Sequence, residues 1–268
     1  MKMLEFGPIS LDPLNIAALS LFAVCWLFYQ PILNLLSRRG GAAINTDLMV
    51  VRSAWMHNMA RRDGRFMDGQ LLAQTLSSSS FFASSNLILI AATAGVLFGG
   101  QSSFRNVSSL IVVKTSTRLL FEAQLGLVVL ALARGLLDFI WGIRQLNYVL
   151  AAIGAIPERA DDDTHHAYGD AAGRLLNPAL HSVNSGVRGY YFALAAAAWL
   201  VGPIAFMAAT LGAVSLLFWR QRRSTAAIAI ADLRRLLEAE GAAAGHGKTG
   251  RGKAGSPVES SKGRTSLS

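Results

Sequence analysis

The stretch Leu119–Ile140, LLFEAQLGLVVLALARGLLDFI, decides the fold class of this chain. Its only charged residues are Glu122, Arg134 and Asp138, and leucine, valine and alanine dominate the rest. A bilayer core about 30 Å thick is crossed by roughly 20 mostly apolar residues in helical form. The stretch is therefore predicted to be a transmembrane helix.

Three other windows have the length and composition of a membrane span. They cover residues 14–36, 81–98 and 190–219, and the first and last of them contain no charged residue. The last window would be about 45 Å long as a straight helix, so it is predicted to bend at Gly202-Pro203. Four spans within residues 1–223 predict an all-α integral membrane four-helix bundle with both termini on the same side.

The overall composition excludes an ordinary soluble domain. Hydrophobic residues make up 52% of the 268 residues and charged residues only 15%, whereas soluble domains carry about 25% charged residues. The net charge is +9, but residues 220–268 alone hold 10 basic and 4 acidic groups, a net of +6. We therefore expect no nucleic-acid partner. Membrane lipids are the expected partners, and a bacterial inner (plasma) membrane is the expected location.

The segments between and after the spans contain further predicted elements. Residues 45–74 have an apolar stripe beside an arginine-rich face, which predicts a helix on the membrane surface or packed under the bundle. Residues 164–187 are predicted to be helical and bent or divided at Pro178. Residues 224–240 predict an amphipathic helix, and residues 241–268, with seven glycines and five basic residues, a disordered basic tail.

The three charged residues of the central span are the candidate polar residues within the membrane, because charged side chains there are costly and face protein or water. Arg134 and Asp138 are four residues apart and can pair on one helix face. Glu122 lies about 18 Å from Arg134 along the axis, so the three cannot form one site unaided. Two interpretations remain: a self-neutralised pair with an interfacial Glu122, or a polar path through the bundle.

A second candidate group lies at the predicted membrane boundaries. It combines arginines with aromatic or amide residues, and its members are Arg52, Trp55, Arg144, Asn147, Arg188 and Tyr190. A guanidinium at a boundary can bind a lipid phosphate or helix-end carbonyls through two parallel hydrogen bonds. The alternative is that these arginines are simple positive flanks of the spans.

No motif predicts catalysis, a cofactor or a metal. His165 and His166 follow the acidic run 161–163, but adjacent residues point to different helix faces and no second ligand pair supports them. We interpret them as the solvated start of a helix. The chain also lacks a Walker lysine, a nucleophile elbow and paired cysteines, since Cys25 is its only cysteine.

Small residues recur at four-residue steps on the second span, at Ala91, Gly95 and Gly99. Such steps let helices approach closely in lipid, where packing drives association. They predict either packing within the chain, which we favour, or the contact face of a homo-oligomer.

Four blocks of sequence stand out along the chain: Arg52-Ser-Ala-Trp55-Met56, Ile143-Arg144-Gln145-Leu-Asn147, Val187-Arg188-Gly-Tyr190-Tyr191-Phe192 and Trp199-Leu-Val-Gly202-Pro203. Together they resemble a family of bacterial and plant membrane proteins classed as domain of unknown function 599, and the resemblance covers roughly residues 10–236. It implies a four-helix integral membrane protein and supplies no activity.

Three functions therefore remain open. The first hypothesis is a structural or accessory membrane protein with no catalysis of its own. The second is a small carrier or channel whose polar path uses the charged residues of the third span. The third is a membrane-embedded enzyme that acts on lipid near the boundary arginines. A dry bundle would favour the first, a water-accessible polar cavity the second, and an arginine-lined groove open to lipid the third.

Overall fold

All regular secondary structure is helical in the residues that the computed structural model describes, which are 12–38, 44–110, 117–222 and 224–251. Eight α-helices and one 3-10 helix follow one another in those ranges, and no strand occurs in them. The α-helices are α1 (Pro13–Arg38), α2 (Ile44–Ala60), α3 (Phe66–Phe98), α4 (Gly100–Ser108), α5 (Arg118–Gly154), α6 (Asp162–Ala197), α7 (Pro203–Arg222) and α8 (Thr225–Arg251). The prediction of an all-α fold is confirmed.

Four helical segments are long and apolar enough to cross a membrane. They are Pro13–Ile32, Phe66–Phe98, Arg118–Gly154 and a segment within Pro203–Glu240. The second and third of these segments are longer than a span requires. The 37 residues of α5, for example, measure about 55 Å. A helix of that length extends well beyond an apolar layer about 30 Å thick.

The helix predicted over residues 45–74 is two helices. α2 ends at Ala60, and α3 begins at Phe66 and includes the whole predicted span 81–98. The break is stabilised by the buried carboxylate of Asp68, which accepts hydrogen bonds from Trp55 Nε1 at 2.6 Å and Arg62 Nη1 at 2.8 Å. The helical spacing of the apolar residues continues across this turn, so it did not reveal the break. α2 packs under the bundle, against α6 and α8.

The fourth predicted span, residues 190–219, is not one bent helix. α6 continues through Pro178 to Ala197, a 3-10 helix covers Ala198–Leu200, and the chain turns at Gly202, whose φ is +141°. α7 then runs back along α6, because the ring of Phe206 stacks on Trp199 at 5.1 Å and Arg220 donates to the Tyr191 hydroxyl at 2.6 Å. The predicted bend is a reversal of direction.

This reversal sets the directions in which α1, α6 and α7 run relative to one another. α1 is also antiparallel to α6: Trp199 Nε1 donates to Asn15 Oδ1 at 2.8 Å near the start of α1, and Gln30 lies 3.1 Å from His181 near its end. α1 and α7 therefore run in the same direction. The second half of α6 runs between them in the opposite direction, which predicts that the start of α1 and the end of α7 lie on opposite sides of the membrane rather than on the same side.

The seam between α5 and α6 is closed by glycines. A Cβ atom added at Gly189 would lie 3.0 Å from the Cα of Gly135, and one added at Gly142 would lie 3.0 Å from the backbone nitrogen of Val183. A Cβ atom added at Gly186 would lie 2.8 Å from the ring of Phe139. Close packing of small residues is a common source of helix association in membranes, and here it fixes the register of the two longest helices.

Two apolar clusters lie along this seam. The first joins α1, α5, α6 and α7 around Phe22, Phe192, Phe206 and Trp199. The second joins α2, the start of α3, the end of α5 and the start of α6; its fully buried members include Met56, Met59, Leu72, Leu146 and Leu176. The molecule is therefore a bundle at the level of the apolar spans with a second helical layer packed beneath it.

The last helix belongs to that second layer. Ser224 caps α8 by accepting a hydrogen bond from the backbone of Ala227 at 3.2 Å. Arg234 forms an ion pair with the buried carboxylate of Asp47 on α2 at 2.8 Å. α8 runs on to Arg251, so residues 241–251 of the predicted disordered tail are helical. The rest of that tail, residues 252–268, lies outside the described residues.

We expect Gly142→Ala to destabilise the protein, because the added methyl group meets the backbone of α6 and the two helices must separate. Overpacking of this kind typically costs about 1–3 kcal/mol. Gly126→Ala is the matched control on the same helix, since nothing lies within 4 Å of the Cβ position there. The apparent Tm in detergent should fall for the first variant and stay level or rise for the second. Equal Tm values would mean that the seam is not tight.

We expect the start of α1 and the end of α7 to face opposite sides of the membrane. Single cysteines at Asp12 and Gln221, in a Cys25→Ser background, should react with a membrane-impermeant maleimide from opposite sides of sealed vesicles. Cysteines at Ser109 and Arg159 serve as references, because they lie at the α1-start end and at the α5–α6 turn respectively. Labelling of Asp12→Cys and Gln221→Cys from the same side would contradict this expectation.

Candidate functional site

A polar cavity of about 400 Å³ lies between α1, α5 and α6. It is at the end of the bundle where α1 meets His181, at the level of the apolar spans. Its walls combine three charged residues with amide, hydroxyl, imidazole and aromatic groups: Trp26, Leu27, Tyr29, Gln30, Arg134, Gly135, Asp138, His181, Ser182, Ser185, Arg188, Gly189 and Phe192. The cavity brings together residues from both groups singled out in the sequence.

The Arg134–Asp138 pair forms one wall. The guanidinium lies 3.0 Å from the carboxylate, one helical turn away on α5. Side-chain exposure differs between the partners, at 59% for Arg134 and 18% for Asp138. The carboxylate therefore lies in the cavity, and the arginine reaches it from the more open side.

Arg188 lines the cavity from α6 and is its most buried charged residue. It is 8% exposed and donates a hydrogen bond to Ser185 Oγ, one turn earlier on α6. Within the described ranges it forms no ion pair, although Asp138 and the Tyr29 hydroxyl lie close enough to interact with it electrostatically. A buried guanidinium whose charge is only partly matched is costly, and an ionisable residue among membrane spans marks a candidate functional site.

Two further polar atoms of α1 are buried without a partner among the described residues. They are the Tyr29 hydroxyl, in a residue only 7% exposed, and Oε1 of Gln30. Burying a polar group without a hydrogen bond costs about 1–3 kcal/mol. The amide nitrogen of Gln30 already contacts His181 at 3.1 Å, so its oxygen is left to accept from water or a ligand in the cavity.

The charges of the lining determine which ligands suit it. Two arginines and one aspartate give a net charge of +1 when His181 is neutral. An anion between Arg134 and Arg188 would balance that charge, because a guanidinium binds carboxylate, sulfonate or phosphate oxygens through several donors at once. Trp26, Leu27 and Phe192 supply an apolar wall beside this charged patch.

Glu122 is not part of the cavity. Its carboxylate pairs with Arg118 Nε at 2.7 Å, at the start of α5. The axial separation along the helix had placed it out of reach of Arg134, and the structure agrees. Of the three charged residues predicted within the membrane, Arg134 and Asp138 line the cavity. Arg188 from α6 joins them there.

The boundary group does not form a single cluster. Trp55 bonds Asp68, the Tyr190 hydroxyl donates to the carbonyl of Phe82 at 2.6 Å, and Arg188 lies in the cavity. Arg144 and Asn147 are exposed on α5, and burial in the second layer lowers the pKa of Arg52 to about 10. Arg188 is the member that the structure brings together with the intramembrane charges.

The small-residue stripe of α3 faces outward. Ala91, Gly95 and Gly99 are exposed, and nothing in the described chain lies within 4 Å of a Cβ built at Gly95. The favoured interpretation, packing within the chain, is therefore wrong for this stripe. The glycines that do pack are on α5 and α6. A homo-oligomer contact at the stripe stays a prediction.

Outside the cavity, three side chains from α2 and α6 meet with donor atoms that suit a metal. They are His57, His166 and Asp170, whose donor atoms all lie within 4.8 Å of one another. In the sequence, His166 has only its neighbour His165 beside it and no further ligand at a fixed spacing. His57 is more than 100 residues away along the chain, so only the docking of α2 on α6 reveals it.

The helical bundle, its apolar segments and the polar cavity define an all-α protein of the membrane-spanning class. The chain matches the family described as "Protein of unknown function, DUF599" over residues 17–226, and it belongs to that family. The match includes every residue of the cavity and of the second layer except most of α8. No curated protein and no solved structure matches the chain.

We expect Asp138→Asn to lower the Tm of the protein in detergent, because it leaves two arginines in the cavity lining with no carboxylate to balance them. A charge without a partner at membrane depth costs about 2.5–3.5 kcal/mol on translocon scales. Adding Arg134→Ala should restore only part of the loss, since Arg188 stays unbalanced. Full restoration by Arg134→Ala would contradict a role for Asp138 in balancing Arg188.

Proposed function

We propose that the protein is a small carrier that binds an organic anion in the cavity between α1, α5 and α6. The observation that carries this proposal is Arg188, a buried guanidinium facing the cavity with only a shared carboxylate to balance it. An incoming anion would complete that balance. Its release on either side would complete a transport cycle.

The size and walls of the cavity support an organic ligand rather than an inorganic ion. Sites for small molecules usually have volumes of about 300–1,000 Å³ and combine an apolar lining with a few polar groups. The cavity volume of about 400 Å³ lies within that range. Phe192 and Trp26 can contact a hydrocarbon or aromatic body while Arg188 and Arg134 bind the acidic group.

The position of the cavity supports transport over a purely structural role. Polar groups within spans mark substrate paths in many carriers, whose binding sites lie between helices at membrane depth. A structural bundle is better served by a dry core, because well-packed apolar residues are often as stabilising as a buried ion pair. The boundary arginines do not share a groove, so a lipid-acting enzyme has less support.

The charge preference of the cavity can be measured directly. Benzenesulfonate, which remains ionised and crosses bare lipid poorly, should raise the Tm of the detergent-solubilised protein, whereas benzylamine, of similar size and opposite charge, should not. A ligand at 100 times its Kd stabilises by about 2.7 kcal/mol. Proteoliposomes should also take up benzenesulfonate faster than empty vesicles do.

Two variants separate the cavity from general charge effects. Arg188→Gln should abolish the effect of benzenesulfonate on Tm and its uptake. Arg118→Gln, which removes an arginine from the same bundle outside the cavity, should leave both intact. If Arg188→Gln does not fold, Arg134→Gln gives the same test from the exposed side. An equal response to the anion and the amine, or an anion response that survives in Arg188→Gln and Arg134→Gln, would overturn the proposal.

A further inference from the structure

The second layer holds a group of side chains that the proposed carrier function does not use. His57 projects from α2, and His166 and Asp170 project from one face of α6, four residues apart. This group is independent of the cavity, because Asp170 precedes Arg188 by 18 residues, or about 27 Å along α6.

The donor atoms are spaced as metal ligands are. His57 Nε2 lies 2.8 Å from Asp170 Oδ1, and His166 Nδ1 lies 3.5 Å from Asp170 Oδ2. Three ligands at 2.0–2.1 Å from a tetrahedral zinc ion would be about 3.3 Å from one another. The two imidazole rings stack, with centroids 4.4 Å apart and planes 24° apart. Because each ring coordinates a metal through a lone pair in its own plane, at least one ring has to rotate for both nitrogens to reach one ion.

The backbone is shaped to bring His57 to this point. A Cβ atom at Gly169 would lie 2.9 Å from the Cα of His57 and 2.6 Å from its ring carbon Cδ2. Glycine beside Asp170 thus lets α2 dock directly against α6 at the level of the histidine. The side chains remain partly open, with exposures of 26% for His57, 55% for His166 and 46% for Asp170. An ion can reach them, and water can complete the coordination.

The charges around the group also fit a cation. Asp170 supplies the one carboxylate of the group, and its Oδ1 lies within hydrogen-bond distance of His57 Nε2. Arg174 on the same helix is the cation that acts on Asp170 besides the histidines. Arg61 Nε lies 2.9 Å from Asp162 Oδ1, so this arginine forms a separate ion pair between α2 and α6.

We propose that His57, His166 and Asp170 bind one divalent first-row transition metal ion, such as Zn²⁺, that ties α2 to α6. Two imidazoles and one carboxylate with open coordination positions suit zinc, iron, cobalt and nickel better than calcium or magnesium, which prefer all-oxygen sites. The ion would replace the His57–Asp170 hydrogen bond with bonds from a single centre to both helices. The second layer would then be stabilised by metal as well as by its apolar cluster.

The test uses the full chain in detergent, without a histidine tag, after removal of metal with EDTA. Titration with Zn²⁺ should show one ion bound per chain and a rise in Tm, and Co²⁺ should give the visible absorption of a protein-bound ion. His57→Ala, His166→Ala and Asp170→Asn should each weaken zinc binding at least about tenfold and remove the rise in Tm.

His165→Ala is the matched control. Its side chain is adjacent to His166 in the chain but contacts the carbonyl of Pro157 at 3.3 Å, away from the other ligands. Zinc binding should be unchanged in this variant. If His57→Ala does not fold, His166→Ala and Asp170→Asn decide the matter, because both side chains are exposed. Absence of zinc and cobalt binding, or binding that these two variants leave unchanged, would overturn the proposal.

Discussion

The close contact between the backbones of α5 and α6 is the constraint on which the rest of the structure depends. Gly135 and Gly189 meet so closely that a Cβ atom at either position would lie 3.0–3.2 Å from the backbone of the facing helix. Each of these glycines directly follows an arginine of the cavity, Arg134 on α5 and Arg188 on α6. The seam therefore sets both guanidinium groups at one level of the bundle. A shift of register by one turn would move Arg188 by about 5.4 Å along the axis, away from the shared carboxylate.

Sequence alone could predict the local features and not those that depend on register. The Arg134–Asp138 pair follows from four-residue spacing, and the exclusion of Glu122 follows from distance along one helix. Arg188 was assigned to a membrane boundary, because nothing in its own helix relates it to Asp138. The same limit applies to the fourth window. Its composition is apolar throughout, and hydropathy carries no direction, so a reversal at Gly202 looks the same as a bend. The Gly202-Pro203 signal was read correctly as an interruption but not as a turn.

The stability of the cavity depends on the aromatic cluster beside it. Phe22 contacts Phe192 and Phe206, with ring centroids 6.0 Å and 5.1 Å apart, and Trp199 stacks on Phe206. Each such ring pair contributes about 0.5–1.5 kcal/mol beyond the area it buries, which is comparable with the cost of one unmatched polar group. Phe192 belongs to both the cluster and the cavity wall. The free energy gained by this apolar packing thus offsets the cost of the polar lining beside it. The bundle can therefore retain polar groups that a dry core would not contain.

α6 connects the two layers and explains why they hold different chemistry. Its first half lies in the second layer, where water reaches the surface and histidine and aspartate can remain hydrated. Its second half lies among the apolar spans, where the polar side chains His181, Ser185 and Arg188 all face the cavity. Pro178 stands between these halves, at a point where the helix lacks one backbone hydrogen-bond donor and is least resistant to bending. Because α6 remains continuous at Pro178, this one helix fixes the position of the second layer relative to the bundle. The second layer can therefore hold the cavity wall in place from outside the apolar region, without contributing any residue to the cavity.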